Sequence, residues 1–92
     1  MRWFRRRPTR HVTLYGKPNC HLCDDAKHLL DRLGKRYPVT VVEKDITLDP
    51  ALYREYDVRI PVIVFDSGDQ LEAPIYEHDV RRLLQSPAAG NP

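Results

Sequence analysis

The sequence predicts an α/β domain in which a four-stranded mixed sheet packs against three helices. Short β-branched stretches alternate with stretches whose apolar residues recur at helical spacing, and turn residues separate them. The chain has 92 residues, enough for one hydrophobic core and too few for two. The predicted order of the elements is β-α-β-α-β-β-α.

The first half of the chain contains a strand, a helix and a second strand. HVTLY (residues 11–15) alternates apolar and polar residues as a strand does, and GKPN ends it. PVTVVEKDI (residues 38–46) is β-branched and predicts a second strand, parallel to the first because a helix connects the two. That helix has one apolar face, formed by Leu22, Ala26, Leu29, Leu30 and Leu33.

The second half predicts a short helix, a hairpin and a final helix. In LDPALYREYDV (residues 48–58), Asp49 suits an N-cap and Pro50 the first helical position. IPVIVFD (residues 60–66) is the most apolar run of the chain, as in a strand buried on both faces. An SGD turn leads into QLEAPI (residues 70–75), which predicts an antiparallel edge strand. The final helix is expected to carry on one face Tyr76, Val80, Leu83 and Leu84.

Positive charge is concentrated at the start of the chain. From residue 11 onward there are ten Lys and Arg against thirteen Asp and Glu, a net charge of −3, although the whole chain is +2. A specific nucleic-acid-binding domain carries its positive charge on a folded face, so we expect none here. The sequence predicts a flexible basic tail over residues 1–10, a domain over 11–85 and a flexible tail over 86–92. The five arginines of the basic tail are Arg2, Arg5, Arg6, Arg7 and Arg10.

Hydropathy predicts no membrane-spanning segment. No apolar run approaches the roughly 18 residues of a transmembrane helix. The basic start lacks the apolar stretch that follows in a secretory signal. We therefore expect a monomeric, cytoplasmic protein, in a compartment where paired thiols are kept mostly reduced.

The two cysteines, Cys20 and Cys23, are three residues apart at the predicted start of the first helix. This spacing puts them on one face, close enough for a disulfide to form and break. Free backbone N–H groups and the positive end of the helix favour a thiolate at Cys20, and Lys17 adds a positive charge. Asp24 and Asp25 disfavour a second thiolate at Cys23. The asymmetry indicates that Cys20 attacks and Cys23 resolves.

Metal binding is the main alternative for this pair. A structural zinc site needs four ligands, usually as two short-spaced pairs. The histidines supply no second short-spaced pair, so we expect no metal ligand within the chain. An iron–sulfur cluster shared between two chains, and two unreactive cysteines, remain alternatives. The four histidines are His11, His21, His28 and His78.

Two further residues are candidates for the site. His21 could stabilise the Cys20 thiolate as an imidazolium or assist its deprotonation as a neutral base, or it could be an exposed residue that only tunes the redox potential. Pro61 begins the apolar strand, a position where the preceding peptide bond could be cis.

Three segments carry a family resemblance: LYGKPNCHLCDDAKHLL, EKDITLDPALYREYDVRIPVIV and DVRRLL. Together they resemble small bacterial glutaredoxin-like proteins of the thioredoxin-fold superfamily, over about residues 11–85. The resemblance implies a thioredoxin-like fold in which Cys20 is the nucleophile and Cys23 the resolving cysteine. It also implies that Pro61 is cis and lies across from the pair.

The resemblance further implies substrate-binding roles for two residues. The Ile60 backbone would pair with a substrate chain, and Lys17 would meet a carboxylate of glutathione. Two differences leave glutathione open as a co-substrate. Residues 71–79 read LEAPIYEHD where glutaredoxins have a Gly-Gly-Asp turn, and His-Leu separates the cysteines where glutaredoxins have Pro-Tyr.

Taken together, the sequence predicts a dithiol–disulfide oxidoreductase with no bound cofactor. Its substrate would be a protein disulfide or a mixed disulfide with a small thiol, and a reductant outside the chain would recycle it. Two alternatives belong to other classes. One is a dimeric iron–sulfur or metal carrier that uses the same cysteine pair, and the other is a non-catalytic adaptor that uses the fold to bind a partner.

Overall fold

The structure is a computed structural model that describes residues 8–87. It contains four strands and three helices in the predicted order, with a short 3₁₀ turn, Ile46–Leu48, before the second helix. The strands are β1 (Arg10–Gly16), β2 (Val39–Asp45), β3 (Val62–Phe65) and β4 (Gln70–Glu72). The helices are α1 (His21–Leu33), α2 (Pro50–Tyr56) and α3 (Glu77–Gln85).

The strands form one mixed sheet in the order β2-β1-β3-β4. β1 runs parallel to β2 and antiparallel to β3, and β3 runs antiparallel to β4, as predicted. β3 therefore lies inside the sheet. The consecutive β3 residues Val62 and Ile63 point to opposite faces of the sheet, and both are 0% exposed. The apolar run is thus explained by a strand that is covered on both sides.

The hydrophobic core lies between the sheet and the pair α1 and α3. Val12 and Leu14 of β1 stand in register with Phe65 and Ile63 of β3, which places all four on the same face. Helix α1 contacts β1 and α3 above this face. The helix residues that complete the core are Ala26, Leu29, Leu30, Leu33, Val80, Leu83 and Leu84.

Helix α2 begins as the sequence predicts. Asp49 is the N-cap, and its carboxylate accepts hydrogen bonds from the N–H groups of Ala51 at 2.9 Å and Leu52 at 3.4 Å. Pro50 occupies the first helical position, where its missing N–H costs nothing. The Tyr56 ring in the last turn stacks on Tyr15 of β1, with ring centroids 4.4 Å apart.

Two apolar side chains differ from their predicted placement. Leu22 is 56% exposed, and Cys23 takes the buried position one turn before Ala26. Successive helical residues are about 100° apart, so when Cys23 faces the sheet Leu22 projects to the side. Tyr76 is 54% exposed because it is the N-cap of α3, with an extended backbone, and does not share the apolar face of that helix.

Strand β4 is shorter than the predicted span of residues 70–75. The Ala73 N–H still donates to the Pro61 carbonyl at 3.1 Å in the register of the ladder, but Pro61 has no N–H to return the bond, so the strand ends at Glu72. Pro74 then has no N–H to donate.

Two residues that the sequence assigns to flexible tails are held in the domain. Arg10 is the first residue of β1 and is 4% exposed. Its guanidinium donates to Asp66 at 2.9 Å and to the carbonyls of Leu83 at 3.1 Å and Leu84 at 3.0 Å. The Ser86 carbonyl also accepts from it. These contacts join residues distant in sequence, so no local pattern indicates that Arg10 and Ser86 are held. The rest of the predicted tails, apart from residues 8, 9 and 87, lies outside the described residues.

Candidate active site

The turn between β1 and α1 sets the position of Cys20. Asn19 has a left-handed backbone conformation, with φ of 60°, a region that asparagine tolerates better than most side chains. Cys20 follows with an extended backbone as the N-cap of α1. Its Sγ accepts a hydrogen bond from the Cys23 backbone N–H at 3.1 Å. The sulfur therefore occupies the place where a helix binds its capping group.

Cys20 and Cys23 are joined by a disulfide, with their Cα atoms 5.2 Å apart. Cys20 is partly exposed, whereas Cys23 is 7% exposed. After reduction, the N–H groups of the first turn would stabilise negative charge on the Cys20 sulfur. Of the two cysteines, Cys20 is the more exposed.

Gly16, the last residue of β1, packs directly on Cys23. A β-carbon at this position would lie 3.0 Å from the Cys23 Sγ and 3.1 Å from its Cβ. Both distances are shorter than van der Waals contact allows without a shift. The absence of a side chain at Gly16 is therefore what lets the strand and the first turn of α1 approach each other.

A polar cavity of about 300 Å³ opens beside Cys23. It contains both signs of charge, and Lys17 is one of its two lysines. Glu43 at its edge forms an ion pair with Lys27, with an N–O distance of 3.6 Å. The cavity is lined by Leu14, Gly16, Lys17, Pro18, Cys23, Asp24, Glu43, Lys44 and Asp45.

A second cavity, of about 170 Å³, brings together the start of α1, the start of β3 and the loop after β4. Leu22, one of the two residues between the cysteines, forms one wall, and the buried Pro61 forms another. Asp25 is its one charged lining residue. We call it the apolar cavity, and its lining residues are Leu22, Asp25, Ala26, Leu29, Pro61, Ala73, Pro74 and Ile75.

The peptide bond between Ile60 and Pro61 is cis. The Ile60 N–H donates to the Tyr56 carbonyl at 3.0 Å, and the Pro61 carbonyl accepts from Ala73. No donor among residues 8–87 contacts the Ile60 carbonyl. The backbone N–H of Ile60 is thus hydrogen-bonded, and its carbonyl is available as an acceptor.

Arg59 braces the loop that carries Ile60. Its Nε donates to Glu72 at 2.8 Å and its Nη1 to Glu55 at 2.6 Å, while the guanidinium lies 5.2 Å from the centroid of the Tyr56 ring. The hydrogen bond to Glu72 raises the pKa of Arg59, and burial raises the pKa of Tyr56. Helix α2, strand β4 and this loop are thereby tied together beside Pro61.

His21, the first residue of α1, lies at the surface with a side chain 87% exposed. Its Nε2 is 3.5 Å from a carboxylate oxygen of Asp25, one turn further along the helix. Within residues 8–87, no hydrogen bond or ion pair joins its ring to either cysteine. His21 is thus paired with Asp25, which lines the apolar cavity, whereas Lys17 lines the polar cavity.

Several residues of this site were not predicted from the sequence. The sequence indicates Gly16 only as part of a turn, and nothing local signals that a cysteine sulfur lies against it. For Asp25 the sequence indicates only an electrostatic effect on Cys23. The segment 73–75 is predicted as part of an edge strand, although the two apolar residues beside Pro74 are also typical of a loop that lines a cavity.

Two further findings concern the described part of the chain. Within residues 8–87, no group of three or more His, Cys, Asp or Glu side chains is arranged to hold a metal ion. In the same range, no helix has the length and apolar character needed to cross a lipid bilayer.

The sheet order, the three helices and a Cys-X-X-Cys disulfide at the start of α1 define a thioredoxin-fold protein. Residues 11–85 match the family described as Glutaredoxin-like domain (DUF836). The chain therefore belongs to this glutaredoxin-like family, as the resemblance predicted. No curated protein matches the chain.

Solved structures support the same fold. The structural genomics target protein XcR50 from X. campestris is 31% identical, with a TM-score of 0.72, over 83% of this chain and 99% of that one. Protein Ne2328 from Nitrosomonas europaea is 22% identical, with a TM-score of 0.74, over 87% and 96%. Desulfothioredoxin from Desulfovibrio vulgaris Hildenborough, solved in its reduced form, is 22% identical, with a TM-score of 0.61, over 83% and 79%.

Proposed function

We propose that the protein is a dithiol–disulfide oxidoreductase in which Cys20 attacks a substrate disulfide and Cys23 resolves the product. The observation that carries this proposal is the unequal placement of the paired sulfurs. Cys20 caps α1 and is partly exposed, whereas Cys23 is 7% exposed. The nucleophile needs access to a substrate, but the resolving thiol needs access only to Cys20.

The reaction proceeds in two exchanges. The Cys20 thiolate attacks one sulfur of the substrate disulfide, forms a mixed disulfide and releases the other sulfur as a thiolate. Cys23 loses its proton to solvent and attacks the Cys20 sulfur, which releases the second substrate sulfur as a thiolate. The substrate gains two electrons, and the protein is left with its Cys20–Cys23 disulfide. An external reductant then restores the dithiol.

Four other residues are proposed to position the substrate. The free Ile60 carbonyl would accept a hydrogen bond from an extended substrate chain next to Pro61. Lys17 would place positive charge beside the cysteine pair, and His21 would adjust the local charge through Asp25. The proposal includes the expected monomeric, cytoplasmic state, in which the dithiol form is maintained.

Serine variants of the two cysteines test the proposal. Cys20→Ser should abolish reduction of a small disulfide, since the nucleophile is missing. Cys23→Ser should still attack but accumulate the mixed disulfide on Cys20, detectable by mass spectrometry of the intact protein. Each variant is the matched control of the other, because both remove the internal disulfide and only one removes the nucleophile.

Turnover by Cys20→Ser at the wild-type rate would contradict the proposal. So would a purified protein that holds iron or zinc in proportion to its cysteine pairs and reduces no disulfide, which would favour the metal-carrier alternative.

A further inference from the structure

The apolar cavity lies close to the disulfide, because a residue of the cysteine motif lines it. Leu22 forms its wall, two residues after Cys20, and remains 56% exposed. Pro61 forms another wall of the cavity, and the available carbonyl belongs to Ile60, the residue before it. A chain aligned on Ile60 would therefore carry a neighbouring side chain over this cavity.

The size of the cavity limits what it can hold. Its volume is about 170 Å³. An apolar cavity of about 150 Å³ accommodates one benzene-sized group, whereas pockets that enclose small-molecule ligands span roughly 300–1,000 Å³. The apolar cavity therefore fits one large aliphatic or aromatic side chain and cannot enclose a whole tripeptide.

The charge around the cavity selects against an anionic ligand. No lysine or arginine lines it, and the one charged lining residue is Asp25, whose side chain is 57% exposed. Lys17 lines the polar cavity instead. A carboxylate near the apolar cavity would meet Asp25 with no lysine or arginine in the lining to offset the repulsion, whereas a cationic group would be attracted. Glutathione has two carboxylates against one ammonium group and fits this charge poorly.

We infer that the preferred substrate is a polypeptide whose redox cysteine is flanked by a large apolar residue on one side and a basic residue on the other. The inference rests on the proposed function and specifies its substrate class. The apolar side chain would enter the apolar cavity, and the basic residue would approach Asp25. The chemistry is the first exchange described above, with the polypeptide cysteine retained on Cys20 and the other sulfur released as a thiolate.

Matched peptide disulfides test this inference. Short blocked peptides of the form X-Cys-Z would each be joined through the cysteine to 5-thio-2-nitrobenzoate, which is coloured when released. X would be leucine or serine, and Z lysine or glutamate, with each peptide made in both orders; the names below stand for the faster order. Glutathione and 2-mercaptoethanol joined to the same leaving group complete the series. The pre-reduced protein would be mixed with each, and colour release would give second-order rate constants in a single turnover.

We expect the Leu-Cys-Lys peptide to react about ten-fold or more faster than Ser-Cys-Lys, because the leucine is buried in an apolar cavity. It should also react several-fold faster than Leu-Cys-Glu at low salt, with the difference falling as salt screens Asp25. The glutathione conjugate should react more slowly than the Leu-Cys-Lys peptide. Each rate constant would be divided by that of the 2-mercaptoethanol conjugate with the same protein. This ratio cancels any difference in the intrinsic reactivity of Cys20 between the wild type and a variant.

Two pairs of variants locate the effect. Asp25→Asn should remove the preference for lysine over glutamate, whereas Asp24→Asn, its neighbour on the polar cavity, should keep that preference. Leu22→Ser should reduce the preference for leucine over serine. The control Leu48→Ser removes a side chain that is 81% exposed and lines neither cavity, so it should leave the ratio unchanged.

Equal relative rates for all peptides, or a glutathione conjugate that reacts as fast as Leu-Cys-Lys, would overturn the inference and leave the proposed function standing. If no conjugate reacts faster with the wild type than with Cys20→Ser, the proposed function itself is wrong and the inference falls with it.

Discussion

At the scale of single residues, the contact between Gly16 and Cys23 leaves no room for a side chain beside the disulfide. A β-carbon at Gly16 would lie 3.0 Å from the Cys23 sulfur. The neighbour is a buried side chain in the first turn of α1, so it cannot swing into solvent. A side chain at residue 16 would therefore displace the Cys23 sulfur.

Gly16→Ala should lower the free energy of unfolding by about 1–3 kcal/mol through overpacking. It should also slow resolution of a mixed disulfide, because Cys23 is displaced from Cys20. Chemical denaturation and single-turnover kinetics of the variant would measure the two effects.

The control for this prediction is Gly68→Ala. Gly68 has a φ of 92° and open space around its Cα, so alanine there should cost stability through backbone strain alone. Normal resolution kinetics are expected in this control. Slowed resolution in both variants would show that lost stability, and not contact with Cys23, is the cause.

Asn19 supplies a second residue-scale prediction, since its φ of 60° lies in the left-handed region. Asn19→Val should destabilise the fold by about 1–2 kcal/mol, because a β-branched side chain is strained there. Asn19→Gly should cost little, since glycine adopts this conformation freely. Unfolding by denaturant would compare them, and equal losses would mean that the asparagine side chain, and not the backbone, matters.

At the scale of elements, Arg10 joins the start of β1 to the end of α3 and to Asp66 after β3. The guanidinium satisfies two of the carbonyl groups that a helix leaves unpaired at its C-terminus. Its hydrogen bond lowers the pKa of Asp66, as does the His11 backbone N–H at 2.9 Å, although burial opposes them. Three elements thus depend on one buried charge.

This pair predicts a pH-dependent contribution to stability. In the folded protein the pKa of Asp66 lies below its ordinary value of 3.8, so the stabilising effect is complete above that value and is lost as the pH falls through the folded pKa. Asp66→Asn should therefore lower the unfolding free energy at pH 7 by about 3 kcal/mol. The difference from wild type should narrow at pH 3 and below, as denaturant titrations would show.

Asp69→Asn is the matched control for the Asp66 prediction. Asp69 is in the same turn, accepts a hydrogen bond from Ser67, and contacts no arginine among residues 8–87. Its replacement should have a small effect at both pH values. A stability gap for Asp66→Asn that stays constant between pH 7 and pH 2 would show that the carboxylate charge is not its source.

At the scale of the whole molecule, the contacts of Arg10 predict that the stable domain begins there. The Arg10 N–H donates to the Pro38 carbonyl at 3.0 Å, and the residue stands in register with Val39. A chain that starts at Thr9 should keep the wild-type unfolding free energy. One that starts at His11 should lose about 3 kcal/mol, because the buried partners of Arg10 are left uncompensated.

Unfolding curves of the two shortened chains would measure this difference. Equal stability of the two would contradict the assigned limit, and retention of disulfide reduction by the longer chain would show that residues 1–8 are not needed for the chemistry.

The order and direction of the elements follow from local patterns. The Asp49-Pro50 pair marks the start of α2, and the apolar run at residues 60–66 marks an inner strand. These signals succeed because capping and periodicity act over a few residues. The exposure of the Leu22 and Tyr76 side chains was predicted less well. Periodicity shows that a helix has an apolar face, but it does not show which residues of that face are covered by the rest of the domain.

The sequence alone determined the family, the succession of strands and helices, and the position of a cysteine pair at a helix start. Only the tertiary structure decided that Arg10 is buried, that Gly16 meets Cys23, and that an apolar and a polar cavity flank the first turn of α1. The physical reason is separation along the chain. Arg10 and Asp66 are 56 residues apart, and Arg10 and Leu83 are 73 apart. Such contacts depend on how the elements pack and leave no local pattern.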